Sequence, residues 1–131
     1  MSVFVDTSAI YAALDADDDA HGRALEGWRE LVTAKTPLIT SNYVCVESAA
    51  LLQARLGMDA VRAMFDDLLA VVTVVLIDEV LHTQAVATLL DANRRRLSLV
   101  DCASFALMRQ HGISSALAFD PHFEERGFQL V

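Results

Sequence analysis

Short runs of β-branched and apolar residues recur along this chain, at Val3 to Val5, Leu38 to Thr40, Val71 to Ile77 and Ser115 to Phe119, with a further one from Phe128 to Val131. Longer stretches whose apolar residues follow helical spacing separate them. This alternation constrains the fold more than any other feature. Parallel neighbours need a crossover connection, usually a helix, so short strands spaced by helices predict an α/β fold with a mostly parallel sheet of four to five strands, covered on both faces. With 131 residues and no linker, repeat or low-complexity segment, the chain reads as one domain spanning residues 1–131.

The helices are bounded by local signals. Val3 to Val5 ends at Asp6 and leads into a helix through Ala9, Ile10 and Tyr11. A second helix carries Leu25, Trp28, Leu31 and Val32 on one side and ends near Ala34. Ser41 and Asn42 open a helix that runs to Leu56 and stops at Gly57, and Met58 to Leu69 reads as another. Asp78 caps a helix from Glu79 to Asn93, with Arg94, Arg95 and Arg96 closing it against the dipole; Ser98 opens one from Leu99 to His111, stopped by Gly112.

Composition excludes several classes. The start, Met1 to Asp6, has no basic segment followed by a long apolar run, and the longest apolar stretch, Leu68 to Ile77, is about half of the roughly 20 residues that a membrane helix needs. A cytoplasmic protein without a membrane span is expected. Cys45 and Cys102 lie far apart in apolar segments and read as small buried hydrophobes. The formal net charge of −8 opposes simple attraction to a phosphate backbone and suits a basic partner protein; a carboxylate-lined metal site would account for part of it.

Four acids stand alone in apolar surroundings. Asp6 and Asp120 follow strands, at the carboxyl ends where open parallel sheets bind ligands. Glu47 is the sole charge in Val44 to Leu52, a helix that reads as buried nearly all round, and a buried carboxylate needs a cation, hydrogen bonds or a solvent cleft. Asp101 is the sole acid in Leu99 to Met108, and Ser98-Leu99-Val100-Asp101 matches a capping box. Asp78 also ends a strand, but capping explains it. At about 5 Å and an effective dielectric of about 20, each like-charged pair costs roughly 3 kcal/mol, so a cluster of four needs a cation or raised pKa values. Oxygen-only ligands favour Mg²⁺ or Mn²⁺ over zinc.

Val5-Asp6-Thr7-Ser8-Ala9, Val46-Glu47, Leu99-Val100-Asp101-Cys102-Ala103 and Phe119-Asp120-Pro121-His122-Phe123, in that order, resemble the successive motifs of PIN-domain ribonucleases, and most of all the small VapC-type toxins of toxin–antitoxin pairs. The resemblance covers essentially the whole chain. It implies a three-layer α/β/α sandwich, Mg²⁺- or Mn²⁺-dependent endoribonuclease activity on RNA, a homodimer, and inhibition by a cognate antitoxin protein. It implies that Asp6, Glu47, Asp101 and Asp120 form the acidic metal site, with Ser8 and Ser98 as the hydroxyls beside the metal. On that reading the ion is held by Asp6, Asp101 and Asp120, with Glu47 direct or through water, and it activates a water to attack phosphorus.

Two other readings compete. One is a catalytically silent PIN-like domain that binds a protein, motivated by the charge of −8. The other is a Mg²⁺-dependent phosphatase, disfavoured because Asp6-Thr7-Ser8 lacks the second Asp of a D-x-D pair. Asp15 to Asp19 invites comparison with a calcium loop, but Ala20 stands where that loop requires Gly. His21, His82, His111 and His122 show no metal-ligand spacing and read as structural, and no phosphate-loop, dinucleotide or serine-hydrolase motif is present. Arg94 to Arg96 could guide a phosphate backbone, although a solvated helix end is the simpler account.

Overall fold

Val3–Val5 forms the central strand, β1, and all three residues are buried, as a strand covered on both faces must be. In the computed structural model, which describes residues 1–131, α1 (Thr7–Leu14) and α2 (His21–Thr33) follow, then β2 (Leu38–Ser41), α3 (Asn42–Arg55) and α4 (Met58–Ala63). The remainder is β3 (Val72–Val75), α5 (Glu79–Ala92), α6 (Leu99–Gln110), β4 (Ser115–Leu117), α7 (His122–Glu125) and β5 (Gln129–Leu130). The five strands lie in the order β3-β2-β1-β4-β5 and every pair is parallel. The order reverses between β1 and β4, where Val5 pairs with Leu117 and the Asp6 N–H donates to the Leu117 carbonyl at 3.1 Å. That junction is where a crevice is expected.

Helix starts are fixed as the sequence suggests. Ser41 caps α3 by accepting from the Val44 N–H, Asp78 caps α5 by accepting from Leu81, and Ser98 caps α6 by accepting from Asp101. Packing then sets the layers. Phe4 of β1, Phe105 of α6, Phe123 of α7 and Phe128 form an aromatic cluster, with Phe123 centroids 5.1 Å from Phe105 and 6.2 Å from Phe4. On α2, a Cβ at Gly27 would lie 2.9 Å from Leu117 Cδ1, so glycine there lets the helix sit close on β4.

Several sequence expectations need correction. Met58 to Leu69 is not one α-helix: α4 ends at Ala63, Met64–Leu68 widens into a π turn, and Leu69–Val71 tightens into a 3₁₀ turn before β3. The helix carrying Glu47 is buried along one side only, through Val44, Ser48 and Leu52, and Val46 is 71% exposed. Val32 of α2, placed on the inner side by periodicity, is exposed. Arg94 to Arg96 lie beyond α5, which stops at Ala92 because Asn93 takes a left-handed conformation (φ +50°). The four-residue helix α7 has no counterpart in the sequence reading.

Candidate metal centre at the carboxyl ends of β1 and β4

Asp6 ends β1 and caps α1. Its Oδ2 accepts from the Ser8 N–H at 3.1 Å and from the Ser8 hydroxyl at 2.6 Å. The same hydroxyl accepts from the Phe119 N–H at 2.9 Å, so Ser8 joins the end of β1 to the turn after β4. Burial, at 3% exposure, pushes the Asp6 carboxyl up to about 7 against those two hydrogen bonds, and the charges of Asp101 and Asp120 push the same way.

Asp101 lies in the first turn of α6 in a reciprocal box: the Ser98 hydroxyl accepts from the Asp101 N–H at 3.0 Å, and Asp101 Oδ2 accepts from the Ser98 N–H at 3.1 Å. Its carboxyl is also raised, first by burial, with Asp120 adding to the shift. Glu47 projects from α3, half-buried, and burial raises its carboxyl while the Thr7 hydroxyl opposes the shift and Asp101 and Asp120 add to it. Thr7 in turn receives a hydrogen bond from Ser48 at 3.2 Å. Asp120, in the turn between β4 and α7, accepts from the His122 N–H at 2.9 Å.

The fold thus gathers acids from four separate segments, each lying within the electrostatic reach of Asp101 and Asp120. The tightest group within it is Asp101, Asp120 and His122, whose ligand-capable atoms lie within 4.8 Å of one another. His122 is the member that sequence reading set aside as structural. Its place beside Asp120 within Asp-Pro-His-Phe was the only signal, and a weak one. No lysine or arginine is hydrogen-bonded to Asp6, Asp101 or Asp120. Buried carboxyls raised at Asp6 and Asp101, with Asp120 close by and no lysine or arginine bonded to the three, fit a hard divalent cation.

Of the three arginines before α6, Arg94 is paired with Glu125 at 3.1 Å, and Arg95 and Arg96 are exposed. Beyond Asp120, a groove of about 530 Å³ is bordered by Arg23, Glu26, Glu30, Phe119 and Glu124, and the Arg23 guanidinium lies 5.1 Å above the Phe119 ring. Removing the Ser8 hydroxyl tests how the site is held. Ser8→Ala should cut activity and lower stability by about 1–3 kcal/mol, because the Phe119 N–H loses its acceptor and the Asp6 carboxylate a donor. Urea unfolding measures this, and a variant indistinguishable from wild type would show that Ser8 ties nothing together.

Comparisons with known proteins bear on the family and the fold. A family model described as the PIN domain matches residues 3–129. The chain is 41% identical to the 23S rRNA-specific endonuclease VapC20 of Mycobacterium tuberculosis, over 98% of this chain and 97% of that protein. The crystal structure of the same mycobacterial protein, described as a sarcin-ricin loop cleaving toxin, superposes with a TM-score of 0.84 at 40% identity, covering 97% of this chain and 96% of that one. The structure of FitAcB from Neisseria gonorrhoeae shares the fold at a TM-score of 0.69 and 14% identity, covering 98% of this chain and 95% of that one. With a family match across nearly its whole length and a relative aligned end to end, the chain belongs to the PIN-domain family.

Proposed function

We propose that this chain is a divalent-metal-dependent endoribonuclease, the toxin of a type II toxin–antitoxin pair, acting on ribosomal RNA as its mycobacterial relative does. The observation that carries the reading is the gathering of Asp6, Glu47, Asp101 and Asp120 at the β1–β4 junction, three of them with carboxyls raised by burial. Asp6, Asp101 and Asp120 would hold Mg²⁺ or Mn²⁺, with Glu47 direct or through water. Once bound, such an ion offsets charge building up on the phosphodiester and makes a water more acidic.

The chain's own residues hold the carboxylates in place. Ser8 fixes Asp6 and Ser98 fixes Asp101. Glu47, half-buried and raised, is suited to accept the proton that the attacking water loses. With a net charge of −8, RNA has to be drawn in by local cations such as Arg23, Arg95 and Arg96, and the same acidic surface suits a basic segment of an antitoxin. A homodimer is part of the proposal, and light scattering tests it. No helix is long and apolar enough to cross a membrane.

Purified protein incubated with total cellular RNA tests the activity. Discrete fragments are expected with Mg²⁺ or Mn²⁺, none with chelator and none from Asp101→Asn, a drop of at least 10²-fold for loss of one group that neutralises transition-state charge, on the order of 3 kcal/mol. Cleavage that survives in the variant, or no cleavage at all, would move the reading to a protein-binding domain.

A further inference from the structure

We infer that His122 is a positioning residue that sets the separation of Asp101 and Asp120, by hydrogen-bonding the first turn of α7 to the backbone leading into α6. The inference rests on the metal site proposed above and adds a residue to it. Asp101 and Asp120 come from different elements, and His122 is the side chain grouped with both.

A ligand role for the imidazole through Nε2, the nitrogen beside Asp120, is the rival account, and the hydrogen bonding opposes it. Nε2 lies 3.8 Å from Asp120 Oδ1 and 3.1 Å from the Arg96 carbonyl oxygen. A carbonyl only accepts, so Nε2 carries a proton in this contact and has no lone pair for a cation. Nδ1 is fully buried without a hydrogen-bond partner, with Glu125 Oε2 3.6 Å away.

His122 therefore closes a ring of contacts. Its backbone N–H donates to Asp120 Oδ1 at 2.9 Å and its Nε2 donates to the Arg96 carbonyl. Two residues beyond Arg96, Ser98 locks Asp101 through the capping box, and Leu97 between them is buried, which leaves that segment little room to shift. Each carboxylate is placed relative to the other through one imidazole, only 11% exposed. The Arg94–Glu125 ion pair joins the same two segments, but both side chains are about half exposed, where such pairs contribute little.

Mn²⁺ binding to metal-free protein, measured by titration calorimetry, tests this without RNA. His122→Ala should weaken binding about 10- to 100-fold, the range for residues that orient metal ligands. Arg94→Ala should stay within about fivefold of wild type. His122→Gln keeps an N–H donor near the reach of Nε2 and should recover most of the affinity, whereas His122→Asn, whose amide mimics Nδ1, should not.

Wild-type affinity in His122→Ala would overturn the inference. So would a Gln variant that binds as weakly as Ala while keeping its melting temperature in chelator, since the imidazole itself would then be the ligand. If the Ala variant does not fold, the Gln and Asn variants decide, and equal affinities in those two overturn it. Wild-type protein that binds no Mn²⁺ removes this inference together with the metal site. Mn²⁺ binding that depends on His122 in a protein that cleaves no RNA upholds it and removes only the nuclease reading.

Discussion

Asp6→Asn will abolish RNA cleavage and yet, in chelator at pH 8, melt at a higher temperature than wild type. Asn can accept the Ser8 N–H and cap α1 as Asp does, so the change removes a charge and little else. Asp6 is raised from 3.8 to about 7, so between those values the folded protein holds a proton that the unfolded chain has released. Stability from this group is complete below about pH 4 and is lost as pH climbs through about 7, with a span on the order of 4 kcal/mol. Asp101 and Glu47, also raised, act in the same direction. The gap between variant and wild type should therefore close near pH 4. Saturating Mn²⁺ at pH 8 should lift wild type and leave the variant behind, because only the charged cluster binds the ion tightly. Calorimetry from pH 4 to 8 measures all three effects. A gap that does not change with pH would remove burial of Asp6 as its cause, and cleavage by the variant would remove Asp6 from the site.

Phe123→Ala should cost about 3–5 kcal/mol, the range for deleting a large buried aromatic, and at roughly 3–4 °C per kcal/mol for a domain of this size the melting temperature should fall about 9–20 °C. The side chain is fully buried among Phe4, Phe105 and Phe128, so its loss leaves a cavity where β1, α6 and α7 meet. α7 is only four residues long and is held by that ring more than by its own hydrogen bonds. Mn²⁺ affinity should fall with it, since α7 carries His122 and borders Asp120. Urea titration gives the stability, and a loss below about 1 kcal/mol would show that the neighbouring rings close over the gap.

What the sequence disclosed was local. Asp6, Ser41, Asp78 and Ser98 announce helix starts because a cap acts within three residues, and the Val and Phe of β1 betray a strand with no exposed face. The features that escaped depend on distant partners. Met64 to Leu68 keeps an ordinary helical composition, and composition does not distinguish an i→i+4 bond from an i→i+5 one. β3 reads as a Val-rich strand, and nothing in that run tells that it is the sheet's edge, with Val74 exposed. Glu47 sits in an apolar run whose outer face, Val46, is open, which periodicity alone does not reveal. His122 gains meaning only from the Arg96 carbonyl, brought to it by packing across 26 residues.

The placement of β1 between β2 and β4 has a consequence for the moment of synthesis. Asp6 leaves the ribosome well before its neighbour Leu117 and the turn bearing Asp120, which emerge only after six helices and two further strands of the sheet have been made. Until then β1 has one partner and the acids have no common cleft, because non-local pairing has to wait for the later segment. A nascent chain of this protein is thus unarmed until β4 has emerged. If ribosomal RNA is the target, the ribosome that makes it is spared until the fourth strand has slid into place.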